Sequence, residues 1–341
     1  MLTKKDFDKI REELDNCKNP LFFFHDDPDG LTSFLLFYRY VGAGHGIVIK
    51  TNPKIDFQYV KKVEEYKPDK VFILDIAMVD QDFLNAVNIP VIWVDHHEPL
   101  KRDKVLYFNP RINKKTDNIP ASTLCYYVVN QDLWLAMIGA IGDWYFPPFA
   151  GDFLEKHPGL MDPDIKDPDK ALFGSKVGTL VFIFSFILKG RTSDVMRSVK
   201  TLTRIDDPNE ILDQTTAKGK YIYKRYLQVG KVYEKLLKRA IAEKGKMIVF
   251  TYMEDNVSFT KDLANQVLYN NPDSVVIIGR EKGEEVKMSI RSKHHFLPAI
   301  VEKAMSDVEG YGGGHEHACG ACVKIKDFPK FVANIKREVK L

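Results

Sequence analysis

Three short apolar runs in the first hundred residues, Leu21-Phe22-Phe23-Phe24, Val71-Phe72-Ile73-Leu74 and Val91-Ile92-Trp93-Val94, each stop at acids or imidazoles. The stops are His25-Asp26-Asp27-Pro28-Asp29-Gly30, then Asp75, then Asp95-His96-His97. Runs of β-branched and aromatic side chains this short read as strands buried on both faces. Segments of helical period separate them, which predicts strand–helix–strand units and a parallel sheet. Parallel strands point the same way, so their terminal acids line one edge, where open α/β sheets bind ligands. A single acid after a strand is ordinarily a turn or a helix cap. Three such tips along one edge point instead to a site that gathers cations.

Further along, Ala121 to Asn130 and Leu133 to Ile141 read as helices, the second ending at Gly142-Asp143. Residues 145 to 215 are punctuated by Pro147, Pro148, Pro158, Pro163 and Pro168 and read as an irregular excursion leading into helices. Residues 216 to 245 have one long helical pattern, and a second α/β set follows from Met247. The expected organisation is therefore a parallel-sheet domain at 1–215, a helical connector at 216–245 and a smaller α/β domain at 246–341. Between Lys218 and Lys246 ten Lys or Arg face two acids, with Tyr221, Tyr223, Tyr226 and Tyr233 interleaved. That pattern suits a solvated helix face, or a flank that tracks a phosphodiester backbone while tyrosines stack on bases.

Net charge is only +3 from 50 basic and 47 acidic residues, which excludes a basic carpet for duplex nucleic acid and makes any polyanion site local. The four cysteines are too scattered for a disulfide scaffold and no signal peptide precedes the first charged helix, so a reducing cytoplasm is the expected location. The longest apolar run, Thr179 to Leu188, is about half of the roughly 20 residues a membrane helix needs, so no membrane is expected.

Asp27, Asp29, Asp75, Asp95 and Asp143 with His96 and His97 form a set rich in carboxylate and poor in imidazole. Such donors suit hard or borderline divalent ions, Mn²⁺ first because of the histidine and Mg²⁺ as the alternative. Two ions bridged by one carboxylate are a standard arrangement for in-line attack on phosphorus, and Asp75, alone at its strand tip, is the natural bridge. Five buried acids would repel one another strongly without cations. Cys319-x-x-Cys322 with His315 and His317 offers zinc-ligand types, but a CxxC on a strand aims its sulfurs awkwardly for one tetrahedron.

Asp95-His96-His97 with the motifs before it resembles the DHH phosphoesterase superfamily, and Gly313-Gly314-His315 followed by Ala318 and Gly320 resembles the glycine-rich motif of its associated C-terminal domain. The resemblance covers nearly the whole chain. It implies metal ligands at Asp27, Asp29, Asp75, Asp95, His96 and Asp143, with His25 beside them, and a catalytic set of His97, His96 and Asp75. His97 would contact the scissile phosphate. The first motif, His25-x-Asp27-x-Asp29-Gly30-x-x-Ser33, is similar to that of the RecJ-like exonucleases and their archaeal relatives, whereas oligoribonucleases and cyclic-dinucleotide phosphodiesterases of the superfamily carry a histidine where this chain has Phe23. Ser289-Ile290-Arg291-Ser292 resembles the arginine motif that holds a substrate phosphate, and Gly312, Gly313 and Gly314 with His315 would approach another.

These features imply a Mn²⁺-dependent phosphodiesterase that trims single-stranded nucleic acid from an end and releases mononucleotides. Two alternatives stand beside it: an enzyme for short oligonucleotides or cyclic dinucleotides, and a non-catalytic scaffold like the degenerate replication-helicase subunits of the superfamily. A homo-oligomer or a replication or repair partner is left open.

Overall fold

The computed structural model describes residues 1–50, 54–253 and 257–340. The chain divides into two compact units, Met1–Tyr226 and Leu227–Leu341. The division falls inside one continuous helix, Ala217–Ala242, so the segment read as a connector is shared between the two.

In the first unit the strands are β1 (Pro20–His25), β2 (His45–Ile49), β3 (Lys54–Ile55), β4 (Lys70–Leu74), β5 (Met78–Val79), β6 (Val91–Val94) and β7 (Leu106–Phe108). Five of them form a parallel sheet in the order β2-β1-β4-β6-β7, and β3 pairs with β5 in a separate parallel ribbon. Each of those two strands has only two residues, too few for any alternation to mark them in the sequence. The register pairs Phe24 with Leu74, Leu74 with Val94 and Val94 with Phe108. Four strands therefore end in line, and His25, Asp75, Asp95 and Asn109 occupy the same edge.

The apolar runs are continuous because both sheet faces are covered. Phe22, Phe24, Phe72, Leu74, Ile92 and Val94 belong to one core, and Leu21, Phe23, Val71, Ile73, Val91 and Trp93 to another. At about 1.5–3 kcal/mol for each large side chain fully buried, these layers outweigh any single polar contact in the unit. The helix Pro28–Val41 lies on the first face, with Pro28 at its first position and Gly42 at φ 74° ending it. Helices Ala121–Val129 and Leu133–Gly142 pack against it.

The proline-punctuated excursion expected to lead into helices contains several, among them Pro168–Gly174, Lys176–Ile187 and Thr192–Leu202. Pro168 opens the first of these and Pro208 opens Pro208–Leu212, positions where a missing N–H costs nothing. The apolar run falls in Lys176–Ile187, where Val177, Leu180, Ile183, Phe184 and Ile187 are buried. Among the described residues no single helix is long and apolar enough to cross a membrane. One bent pair, Pro168–Gly174 with Lys176–Ile187, meets that test only when its two members are taken together across an 80° bend.

The second unit has a five-stranded sheet in the order β11-β12-β10-β9-β8, built from β8 (Met247–Met253), β9 (Val275–Lys282), β10 (Glu285–Arg291), β11 (Gly310–His315) and β12 (Ala318–Lys324). Only β8 and β9 pair in parallel. The glycine-rich run expected to approach a phosphate forms the edge strand β11, with Gly313 opposite Gly320. Glycine disfavours strands, and pairing with β12 overrides that preference. A Cβ at Gly312 would press on Val301 at 2.8 Å, and Gly314 has a φ of 149°, so bulkier residues could not lie this close.

One close approach in the first unit is testable. A methyl at Gly139 would collide with the hydroxyls of Thr32 and Ser122 on the two neighbouring helices. Gly139→Ala is expected to cost about 1–3 kcal/mol, as overpacking does. Urea unfolding that showed no loss would mean these helices can separate freely.

Candidate metal centre

The polypeptide brings its acids together by different local means. Asp27 caps the helix Pro28–Val41, its carboxylate accepting from Gly30 N at 3.1 Å, and Asp29 sits in the first turn of the same helix. Asp75 follows β4 with φ 55°, a left-handed conformation that aspartate tolerates better than most residues, and its N–H donates to Val94 O at 3.0 Å. Asp95 likewise extends the ladder, donating its N–H to Phe108 O at 3.1 Å. Asp143 caps Leu133–Gly142 at its C-terminus. Trp144 N–H returns to Ile141 O at 3.1 Å and Tyr145 N–H to Ala140 O at 2.9 Å. This is a Schellman turn with tryptophan, at φ 59°, where glycine is usual.

Three overlapping groups of donor atoms result, each with its atoms within 4.8 Å of one another: His25, Asp27 and Asp75; Asp75, His96 and His97; Asp29, His96 and Asp143. Asp75 is common to the first two. One of its oxygens faces His25 Nδ1 at 3.3 Å and the other faces His96 Nε2, also at 3.3 Å. His25 Nδ1 also lies 3.1 Å from Asp27, and His96 Nε2 lies 3.6 Å from Asp143 and 3.9 Å from Asp29. The second nitrogen of His96 meets Asn118 Oδ1 at 3.1 Å, the outer contact that fixes the tautomer of a ligating imidazole. Asp29 is anchored from behind by Ala121 N at 2.8 Å, Ser122 N at 2.9 Å and the Ser122 hydroxyl. A carboxylate-rich set with one or two imidazoles per group fits hard or borderline divalent cations.

Asp95, also expected as a ligand, lies outside these three groups. Its carboxylate instead accepts from His97 Nδ1 at 2.7 Å, from His97 N at 3.2 Å and from Tyr107 and Asn109 at 3.3 and 3.4 Å.

The electrostatics are those of acids and imidazoles packed close together in a buried site. Burial and then the charges of Asp75 and Asp143 push Asp29 well above the usual carboxylate range. For Asp75, burial and Asp27 act upward, but hydrogen bonds from His25 and His96 prevail and hold it low. His25 and His96 are both raised well above the ordinary imidazole value: burial opposes the rise, but Asp27 and Asp75 prevail for the first, Asp143 and Asp75 for the second. His97 is raised by Asp95 against the same opposing burial.

A cationic rim beside this cluster has no counterpart in the sequence patterns. Asp26 lies 3.6 Å from His25 Nε2 and is within the electrostatic reach of Lys50 and Lys189. Lys50 Nζ donates to Gly190 O at 2.8 Å, and Arg225 Nη2 donates to Lys189 O at 2.9 Å. Arg225 Nε is buried without a hydrogen-bond partner. These residues come from three distant parts of the chain, and only the fold assembles them.

The expected substrate-binding residues lie in the second unit. Ser289, Gly320 and Gly313 form one row across β10, β12 and β11, and Arg291, Ala318 and His315 form the next. Arg291 donates through Nε to Asn265 Oδ1 at 2.7 Å and through Nη1 to the carbonyls of Ile290 and Cys319. Of the connector tyrosines, Tyr233 is buried with its hydroxyl on Gln266, and Tyr226 stacks on Phe186, so both serve packing. Lys231, Lys235 and Lys238 are exposed.

A histidine whose folded pKa is raised stabilises the fold below its unfolded value of about 6.5, and that contribution is lost as pH rises through the folded value. The raised Asp29 acts in the same direction, beginning at its own unfolded value of about 3.9 and so already under way at pH 6.5. Metal-free protein should therefore lose thermal stability from about pH 6.5 upward, whereas Mn²⁺, which displaces these protons, should bind more tightly over the same window. Melting curves in chelator and in Mn²⁺ across pH test this; a metal-free Tm that rises through the window would contradict it.

The family described as "DHH family, N-terminal domain" matches residues 21–140, and the DHHA1 domain matches residues 244–341. No curated protein matches at the level of sequence. Among solved structures the chain is similar to RecJ of Thermus thermophilus in complex with Mn²⁺, at TM-score 0.70 and 16% identity, covering 99% of this chain and 55% of that one. It is also similar to an exonuclease RecJ bound to manganese, at TM-score 0.64 and 15% identity over 99% and 95% of the two chains. The Thermus thermophilus protein in complex with Mg²⁺ gives TM-score 0.63 at 15% identity over 99% and 52%. The chain thus spans about half the length of the first of these proteins, and at such identities the likeness is one of fold. The two domain matches in their order show that the chain belongs to the DHH family, with a DHH N-terminal domain followed by a DHHA1 domain, on a fold similar to that of the RecJ structures.

Proposed function

We propose that the first unit holds two divalent cations, Mn²⁺ in preference and Mg²⁺ as the alternative, and hydrolyses phosphodiester bonds at an end of single-stranded nucleic acid to release mononucleotides. The observation that carries this reading is the division of Asp75: its two oxygens face two different donor groups. His25 and Asp27 would hold one ion, Asp29, His96 and Asp143 the other, and Asp75 both. Cations so held polarise a scissile phosphate and acidify an attacking water. The chain supplies the rest. His97, its side chain 31% exposed and its Nδ1–H engaged by Asp95, keeps Nε2 to meet the substrate and to give a proton to the leaving oxygen. Lys50 and Arg225 flank the cluster on the Asp26 side and suit a phosphate next to the scissile one. In the second unit Arg291 and the Gly313-Gly314-His315 edge are proposed to hold a further part of the strand.

A second reading has its own support. Tyr233 is buried and Tyr226 stacks on Phe186, so two of the four connector tyrosines serve packing and not bases along a long strand. Short oligonucleotides or a cyclic dinucleotide then become the substrates of the same centre. A non-catalytic scaffold would gain nothing from converging aspartates that repel one another.

Digestion of end-labelled DNA and RNA strands of graded length in Mn²⁺, with a cyclic dinucleotide alongside, separates these readings. Asp75→Ala is expected to retain less than about a hundredth of the activity, a loss of roughly 2.7 kcal/mol in transition-state stabilisation. A smaller loss at saturating Mn²⁺ would remove Asp75 from its shared position. Lys50→Ala and Arg225→Ala should each raise KM by about tenfold or more with kcat largely kept, because a phosphate away from the reacting bond is held alike in ground and transition states. A fall in kcat alone would assign them elsewhere.

A further inference from the structure

At the fourth strand tip of the aligned edge stands Asn109, a neutral side chain that is 1% exposed. It follows β7, immediately beyond the residue whose carbonyl receives the Asp95 N–H. Its carboxamide Nδ2 lies 2.9 Å from the His97 carbonyl, 2.9 Å from the Tyr107 hydroxyl and 3.4 Å from Asp95 Oδ2. Two hydrogens serve these three acceptors, and the two short contacts claim them. Its Oδ1 accepts from Arg111 N at 2.9 Å, which fixes which end of the amide faces the network. Tyr107, receiving from Asn109, donates onward to Asp95 Oδ2 at 3.3 Å, and its ring is stacked on Trp93 at 3.9 Å between centroids. Trp93 in turn donates from Nε1 to Ile76 O at 2.9 Å, one residue beyond Asp75.

We infer that Asn109 is the positioning residue of His97: through Tyr107 it holds Asp95, through the His97 carbonyl it holds the backbone, and both together aim the imidazole. Asp95 Oδ2 accepts from His97 N and from the Tyr107 hydroxyl that Asn109 supports, which leaves Oδ1 to hold His97 Nδ1. In an aligned chain of this kind each donor polarises the next, and the buried setting makes the loss of any member costly. The catalytic consequence rests on the reading above, in which His97 serves the leaving oxygen; the geometric inference stands without it.

The experiment uses full-length protein with Asn109→Ala, with Asn109→Asp as a near-isosteric second variant that cannot donate, and with Tyr107→Phe. Melting curves and Mn²⁺ titration calorimetry first establish that fold and metal affinity persist. The downfield proton resonance of His97 Nδ1–H, assigned by its loss in His97→Ala, should be weakened or shifted in all three variants. Should the amide-deleted variants fold and keep that resonance unchanged, the inference is overturned, whatever the substrate is. On a dinucleotide, kcat of the Asn109 variants should fall about 10–100-fold with KM within about twofold, the pattern of an interaction made only in the transition state. On a 4-nitrophenyl nucleotide ester, whose leaving group needs no proton, the loss should shrink to under about threefold. Equal losses on the two substrates, or losses that add to those of His97→Ala, would overturn the positioning role. Wild-type protein inert on both substrates would defeat the proposed phosphodiesterase reading, and the resonance would still decide the geometry.

Discussion

Aspartates this close together in a buried site cannot all carry charge unless something positive lies between them. Asp29, Asp75 and Asp143 converge on the single nitrogen His96 Nε2 at distances of 3.9, 3.3 and 3.6 Å. Asp29 and Asp143 offer oxygens within 4.8 Å of each other, and two like charges at that separation cost about 3.5 kcal/mol at an effective dielectric of roughly 20. The chain meets this constraint with imidazoles interposed between acids and with backbone N–H donors aimed at Asp29. A divalent cation does the same with more charge and no proton to lose. The site is thus a set of acids balanced by interposed imidazoles, and its pKa directions follow from that balance.

Apart from the side-chain donors to Asp29 and Asp95, what holds the acids in place is apolar or backbone. The ladder that aligns Phe24, Leu74, Val94 and Phe108 sets the depth of the tips to within a residue, and the two cores on either side of the sheet make a register slip expensive. Behind the tips, the close approach at Gly139 lets the helix Ala121–Val129 come near enough for its first N–H groups to reach Asp29. Precision in the polar layer is inherited from packing in the apolar one.

How much of this is legible in the sequence depends on whether a feature is local. An apolar run that ends on an acid is contiguous, so the strand tips, the parallel sheet and the convergence of Asp27, Asp29, Asp75, His96 and Asp143 can be read directly. Asp95 sits in the most conspicuous motif of all, yet its carboxylate faces Tyr107 and Asn109 on the next strand, an orientation that no spacing encodes. Lys50, Lys189 and Arg225 meet only in the folded chain, and Asn109 carries no charge to draw notice. The run Gly310 to Gly314 reads as a loop because glycine favours turns; the partner strand that makes it β11 lies beyond a hairpin, and the Val301 methyl that requires a missing side chain lies on a helix.

The parallel ladder also decides the order of events when the chain folds. Phe24 cannot find Leu74, nor Leu74 find Val94, until the helices between them have looped back, so contacts of long sequence separation must form before the acids share a site. No cation can template that search, because the ligands are dispersed until it ends. The apolar cores must therefore close the sheet by themselves, against growing repulsion among the tips. Protons on His25 and His96 ease that step. They act as counterions between the acids that the strand tips bring together.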